Sequence, residues 1–287
     1  MELIFPSIHR LVEQSFKLAE CPRWDWRTES WLWVDIPSGT LYRYRNNHIE
    51  QQSWSEPLGC VAMQGDTGFI LAFKSGIYFL ETFNAERQCI APLQSSAPRM
   101  RFNDGRATPG SRFMAGTRNG EKQGDKGQFY LLHHDATMEP LPFFAWTCNG
   151  LAFSPCGTNV YWADTSESKI YKANYHVQNG IMGESALFAD LSEHRGRPDG
   201  AAVDNKGGYW VAMYAGSQIL RLSPQGRVTH QIAIPATNPT MIAFGGEHYD
   251  EMLVTTAADQ YADGQVLKLT ELGWQGISEP LVDVNDF

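Results

Sequence analysis

The sequence predicts an all-β fold, a six-bladed β-propeller whose four-stranded blades surround a central channel. Aromatic-rich, strand-like phrases such as WLWVDIPSGTLYRY (31–44) and YWVAMYAGSQILRL (209–222) recur along the chain. One anchor position, at the end of a strand in each phrase, returns at steps of 38, 43, 48, 49 and 43 residues: Asp35, Phe73, Gly116, Asp164, Met213 and Thr256. Strand-type repeats of about 40–50 residues are typical of propeller blades. An irregular β-sandwich is the alternative.

Each repeat is predicted to begin with the innermost strand of its blade. Short runs of small apolar residues, such as GCVAM (59–63) and GAAVD (200–204), precede a hairpin turn, and the strand with the anchor follows. Small residues suit a strand that is crowded near the propeller axis. The turns carry glycine-rich signals such as QGDTG (64–68) and DNKGG (204–208). We expect residues 1–287 to form a single propeller domain.

Composition narrows the class of protein. The 287 residues are 43% hydrophobic and 19% charged, with a formal net charge of −9 and without a Lys/Arg cluster, so nucleic-acid binding is not expected. The first twenty residues lack the pattern of a signal peptide, and no stretch approaches the ~18 apolar residues of a membrane span. Five cysteines form no C-x-x-C pair, which favours reduced thiols and a cytoplasmic location.

Polar residues open several of the predicted inner strands. Counting back 13 to 16 positions from each anchor gives Glu20, Gly59, Asn103, Asn149, Asp199 and Thr240. Equivalent positions at the mouth of the inner strands form a ring around the channel, and four of these six carry a side-chain oxygen. Asn149-Gly150 and Asp199-Gly200 are also turn dipeptides. Because each repeat has its own hairpin turn further on, the pattern favours a shared site.

The ring predicts a site for one divalent metal ion. Carboxylate and amide oxygens without His or Cys suit Ca²⁺, with Mn²⁺, Mg²⁺ and Zn²⁺ as alternatives. Glu20 and Asp199 would repel each other without a cation, and one of them would take up a proton.

Several phrases resemble the regucalcin/gluconolactonase/luciferin-regenerating-enzyme family. They are AECPRWDWRTESWLWVDIPSGTLYRY, RFNDGRATPGSRFMAGT, NGLAFSP, PDGAAVD and NPTMIAFGGEHYDEMLVTTA, in the family's order from about Phe16 onward. The resemblance implies a six-bladed propeller with one divalent metal in the channel and hydrolysis of sugar-acid lactones. Glu20 stands where the family has the Glu of its GEGP phrase, and Asn149 and Asp199 match the other two protein ligands. Cys21 replaces the Gly of many relatives, and we expect it to pack inertly.

The resemblance also assigns substrate contacts. Arg101 and Asn103 match residues that hold the substrate's hydroxyls and ring oxygen, although Arg101 could instead brace a loop. Glu121 lies where some relatives have a further substrate-contacting acid.

We therefore expect a metal-dependent lactonase. The metal would polarise the lactone carbonyl, and Asp199 would be the catalytic residue that orients or deprotonates the attacking water. A hydrolase of other esters or organophosphates on the same fold, and a non-enzymatic calcium-binding propeller, remain open alternatives. G-x-S-x-G, P-loop and H-E-x-x-H motifs are absent from the sequence. The expected partner is a small sugar lactone, and the sequence does not indicate an oligomeric state.

Overall fold

The structure, a computed structural model, describes residues 1–95, 97, 99–121 and 123–285, which form six β-sheets arranged as the predicted propeller blades. The first and second blades contain β3 (Ala19–Asp25), β4 (Ser30–Asp35), β5 (Thr40–Arg45) and β6 (His48–Ser53), then β7 (Leu58–Gln64), β8 (Gly68–Phe73), β9 (Gly76–Leu80) and β10 (Arg87–Pro92). The third and fourth contain β11 (Met100–Ala107), β12 (Phe113–Asn119), β13 (Gly127–Leu132) and β14 (Met138–Ala145), then β15 (Cys148–Phe153), β16 (Asn159–Asp164), β17 (Lys169–Asn174) and β18 (Ala186–Asp190).

The last two blades incorporate the beginning of the chain. The fifth contains β19 (Arg197–Val203), β20 (Tyr209–Tyr214), β21 (Gln218–Leu222) and β22 (Val228–Ala233), and the sixth contains β23 (Pro239–Gly245), β24 (Glu251–Thr256) and β25 (Val266–Thr270). Strand β2 (Ser7–Arg10) pairs antiparallel with β25 and completes the sixth blade. Strand β1 (Glu2–Ile4) pairs in parallel with β22 as a fifth strand of its sheet. The sequence analysis did not predict these two strands.

The innermost strands β3, β7, β11, β15, β19 and β23 contact one another in that order and close into a ring. The two inner strands of a blade lie between neighbouring blades, so both of their faces are covered. Every residue of β7 and β8 is therefore buried, whereas β6 at the outer edge is half-exposed. This explains the short apolar runs, such as GCVAM and GAAVD, in the predicted inner strands. In four blades the second strand ends at the predicted anchor, whereas β12 and β20 continue beyond Gly116 and Met213.

A β-bulge interrupts every inner strand close to its first residue. The pairing with the second strand shifts between Glu20 and Arg23 in β3, between Asn149 and Ala152 in β15, and at corresponding places in the other four blades. A bulge bends the strand and redirects its side chains. The six bulges thus occur where the predicted ring of polar residues lies.

The residues after the last strand cover the opposite end of the channel. Val282 donates its backbone N–H to the Met63 carbonyl at 2.8 Å, which attaches this C-terminal segment to the end of β7. The Glu279 carboxylate lies 3.3 Å from Arg23 Nε and 3.4 Å from Arg106 Nη2, and so compensates part of the charge of two buried guanidinium groups. None of the described residues forms a helix with the length and apolar character that a membrane crossing requires.

Candidate active site

Four of the predicted ring residues converge at the mouth of the channel. Glu20, Asn103, Asn149 and Asp199 come from β3, β11, β15 and β19, and each is at most 8% exposed. Asn149 donates through Nδ2 to Asp199 Oδ1 at 2.6 Å, and Asn103 donates through Nδ2 to Asn149 Oδ1 at 2.5 Å. The structure therefore brings three neighbouring blades into one hydrogen-bonded group, with Glu20 in the same buried cluster.

The local backbone explains the residue types beside two of these side chains. Gly150 follows Asn149 with a φ of 63°, and Cys21 follows Glu20 with a φ of 50°. This left-handed region favours glycine, so Cys21 occupies a position where its side chain adds strain. Its thiol is buried and accepts a hydrogen bond from the Val61 N–H at 3.2 Å, and burial raises its pKa to about 12. The contacts agree with an inert packing role for Cys21.

The two carboxylates lie in an unfavourable electrostatic environment. Burial raises the pKa of Glu20 to about 8, the negative charge of Asp104 adds to the shift, and the hydrogen bond from the Cys21 N–H to Glu20 Oε2 (2.7 Å) opposes it. Burial also raises the pKa of Asp199 well above its ordinary value, and the charges of Glu20 and Asp104 contribute. Burial and like charge are the two causes that disfavour ionised carboxylates.

The donor set fits a hard divalent cation. Glu20, Asn149 and Asp199 offer only oxygen ligands, which Ca²⁺, Mg²⁺ and Mn²⁺ prefer. The charges that raise the pKa of both carboxylates are the charges that a cation would compensate. Among the described residues no group of three or more His, Cys, Asp or Glu side chains is placed to hold a metal, so a site here depends on the Asn149 amide. Its oxygen now accepts the hydrogen bond from Asn103, and its nitrogen faces Asp199.

Arg101 lies beside this group, and one of its guanidinium nitrogens is held by protein contacts. Its Nη1 donates to the Phe102 carbonyl at 2.7 Å and to Asn103 Oδ1 at 3.0 Å. Burial lowers the pKa of Arg101 to about 9, and the positive charge of Arg118 adds to the shift. Arg101 therefore braces the strand and orients Asn103, which in turn orients Asn149. A contact between Arg101 and substrate stays a prediction.

A cavity of about 210 Å³ opens above these residues. Its walls include the ring residues and further polar and apolar side chains: Leu18, Glu20, Ile36, Asn103, Arg118, Thr147, Asn149, Thr165, Ser166, Arg197, Asp199 and Tyr214. A concave pocket with a few convergent polar groups and perturbed pKa values is the expected form of a small-molecule site. The sequence analysis did not predict Arg118 and Arg197 as site residues. Arg118 directly follows RFMAGT and Arg197 directly precedes PDG, and both phrases belong to motifs quoted above.

Glu121 lies apart from this cavity. It is exposed in the turn after β12, where Oε1 faces Arg99 Nε at 3.5 Å, and it is not among the residues that line the cavity. Its predicted substrate contact stays a prediction.

A larger cavity, of about 280 Å³, opens at the opposite end of the channel beside Arg106, Cys156 and Glu279. It contains none of the predicted site residues. We place the candidate active site in the smaller cavity because only there do the oxygen-bearing side chains of four blades meet.

Comparisons with known proteins agree with this architecture. Residues 18–258 match the family model described as the SMP-30/gluconolactonase/LRE-like region. The chain is 34% identical over 282 residues to 6-deoxy-6-sulfogluconolactonase of Pseudomonas putida, covering 94% of this chain and 97% of that one. It is 28% identical to regucalcin of Xenopus laevis, covering 95% and 97% of the two chains. The crystal structure of a calcium-binding regucalcin from Agrobacterium tumefaciens superposes with a TM-score of 0.92 at 22% identity, covering 98% and 99%, and shows the same fold. The chain therefore belongs to the SMP-30/gluconolactonase/LRE-like family.

Proposed function

We propose that this chain is a divalent-metal-dependent lactonase that opens sugar-acid lactones to the free hydroxy acids. The observation that carries the proposal is the convergence of Glu20, Asn149 and Asp199, two carboxylates and an amide, in one buried group that lines a small cavity. Family membership and the 34% identical sulfogluconolactonase support lactone hydrolysis as the reaction class.

In the proposed reaction, a water oxygen bonds to the lactone carbonyl carbon and the ring C–O bond then breaks. When bound, a divalent cation supplies a Lewis acid that polarises the carbonyl and stabilises charge on its oxygen. Asp199 accepts the proton of the attacking water, and a proton returns to the ring oxygen as it leaves, so the product is a hydroxy acid. Asp199 Oδ1 is held by Asn149, whereas Oδ2 accepts no hydrogen bond from the described residues.

Asn103 has two roles in this proposal. It orients Asn149 through Nδ2, which also donates to the Cys148 carbonyl at 3.1 Å. Its Oδ1 accepts from Arg101 and has a second lone pair for a substrate hydroxyl. The Thr165 hydroxyl accepts a hydrogen bond from Asn149 Nδ2 at 2.8 Å. The Asn149 amide is thus held through its oxygen by Asn103 and through its nitrogen by Thr165.

The test is a panel of aldonolactones, aryl esters and phosphotriesters, assayed after chelation and after re-addition of Ca²⁺, Mn²⁺, Mg²⁺ or Zn²⁺. We expect lactone hydrolysis that disappears with chelation and returns with metal. Full activity in a demonstrably metal-free sample would refute the metal role. Turnover of phosphotriesters or aryl esters alone would favour the other hydrolases, and metal binding without any turnover would favour a calcium-binding protein.

A matched pair of variants separates the site from the rest of the blade. Glu20→Gln removes one carboxylate from the proposed ligand set, so metal content and kcat should both fall. Glu29→Gln makes the same change at an exposed position in the β3–β4 turn and should leave both unchanged. Equal behaviour of the two variants would contradict the ligand assignment.

A further inference from the structure

Two arginines line the active-site cavity without forming an ion pair among the described residues. Arg118 acts on Asp199 only at longer range. Arg118 and Arg197 both line the cavity, at the end of β12 and the start of β19. Within the described part of the chain, neither has a carboxylate within 4.0 Å, and the buried Nε of Arg118 has no hydrogen-bond partner. Four arginines with buried guanidinium groups elsewhere are ion-paired: Arg27 with Asp25 at 2.8 Å, Arg221 with Asp204 at 2.7 Å, and Arg23 and Arg106 with Glu279. Buried Arg112 instead donates to the carbonyls of Val177 and Gln178. Arg118 is half-buried, and Arg197 is exposed at the rim of the cavity.

Arg118 also lies opposite another arginine. It is the cross-strand partner of Arg101 in the pairing of β11 with β12. Like charges directly opposite on neighbouring strands are destabilising, and their repulsion contributes to the lowered pKa of Arg101. An anion bound in the cavity beside the guanidinium group of Arg118 would offset this repulsion.

The charges that line the cavity also favour an anionic ligand. Its charged walls are the carboxylates of Glu20 and Asp199 and the guanidinium groups of Arg118 and Arg197. A divalent cation would offset the two carboxylates, which leaves the arginines in excess. Asp259 acts electrostatically on Tyr214, but it is half-exposed and is not part of the cavity wall.

We propose that the substrate lactone carries an anionic oxygen-rich group, a carboxylate, sulfonate or phosphate, which Arg118 and Arg197 bind at the wall of the cavity. This inference rests on the proposed lactonase function and specifies its substrate class. Guanidinium groups hold such groups through paired, charge-assisted hydrogen bonds. The proposed cation lies with Glu20, Asn149 and Asp199, so the reacting carbonyl and the anionic group are recognised by different residues.

The experiment compares aldonolactones of one ring size that differ only at the terminal carbon: a hydroxyl against a carboxylate, a sulfonate or a phosphate. We expect the wild type to prefer at least one anionic lactone, with kcat/KM about 10- to 100-fold above that of the neutral lactone, the range of one or two hydrogen bonds to a charged group. The three anionic probes identify the group. In Arg118→Gln the ratio should fall towards one, and Arg118→Lys should give an intermediate ratio because it keeps the charge but loses the paired geometry.

The control is Arg43→Gln, which removes an arginine paired with Glu50 at 2.6 Å on the outer strands of the first blade and should leave the ratio unchanged. A wild type that prefers the neutral lactone, or a ratio unaffected by Arg118→Gln, would overturn the inference while the lactonase function stands. If no lactone is hydrolysed, the function fails, and calorimetric binding of a polyol phosphate against the uncharged polyol then decides the anion site. Tighter binding of the phosphate that Arg118→Gln abolishes would support it, and equal binding would overturn it.

Discussion

Neutralising the carboxylate of Glu279 should lower the thermal stability of the protein without changing its catalytic activity. This carboxylate reaches from the C-terminal segment into the end of the channel opposite the active site and contacts Arg23 and Arg106. The Arg23 side chain is 0% exposed and that of Arg106 is 8% exposed, so water cannot take over the role of the carboxylate. Glu279→Gln keeps the size of the side chain and removes only its charge.

The magnitude follows from the burial of these groups. Removing one partner of a buried ion pair costs about 3–5 kcal/mol, because the remaining charge stays desolvated. Here one carboxylate serves two guanidinium groups, and the nearby Asp104 compensates in part, since its charge acts on both. At about 2 °C per kcal/mol for a chain of this size, Tm should fall by about 6–10 °C.

The assay is differential scanning calorimetry of the wild type, Glu279→Gln and Glu13→Gln. Glu13 faces Arg10 at 3.8 Å with its side chain 95% exposed, so its neutralisation should change Tm by less than about 1 °C. At 25 °C, kcat/KM of folded Glu279→Gln should equal that of the wild type, because the substitution lies at the far end of the channel. A Tm of Glu279→Gln within 1 °C of the wild type would refute the reasoning.

Three further predictions concern the site, a thiol and the closing strand. Asp199→Asn should lower kcat by about 10²–10⁴ at saturating metal because an amide cannot accept the proton of water; near-normal kcat would exclude Asp199 as the base. Hydrogen bonds with Ser154 and Thr158 lower the pKa of exposed Cys156 to about 7, so its alkylation by iodoacetamide should slow as pH falls through 7. Ser154→Ala should shift that midpoint to higher pH, and an unmoved midpoint counts against the assigned cause. Deleting residues 1–10 exposes the edge of β25 and should lower Tm and promote self-association, seen by calorimetry and gel filtration; deleting residues 1–5 is the milder control, and an unchanged Tm for the longer deletion would show that β2 is dispensable.

The blades and the ring at the channel mouth were predictable because each is encoded locally and repeatedly. Every repeat contains its own small-residue inner strand and hairpin turn. A strand that is hard to recognise in one repeat can therefore be assigned from the equivalent positions in the others. Asn149 and Asp199 looked like turn residues individually, and only their common register indicated a site. The structure shows them hydrogen-bonded to each other across two blades.

The rest depends on contacts between distant parts of the chain. Strand β2 is short and polar, and its partner β25 lies at the other end of the sequence. Arg118 follows the motif RFMAGT, and Arg197 precedes the motif PDG. In the sequence, a charged residue at such a position cannot be told from one that is simply exposed to solvent, and only the fold shows that both line a cavity. The sequence also gives no indication that Glu279 pairs with buried arginines, because this acidic residue between Ser278 and Pro280 is not part of any repeat or motif.

The pairing of β2 with β25 makes closure of the ring the last step of assembly during translation. Blades one to four can each form from a contiguous stretch as it leaves the ribosome, whereas the sixth needs residues 7–10 and residues 266–270 together. At typical synthesis rates of about 5–20 residues per second, the first strand waits roughly 13–50 seconds for its partner. Until β25 is synthesised, β2 has no partner strand and the ring cannot close, so the unpaired strand stays available to chaperones and to neighbouring nascent chains.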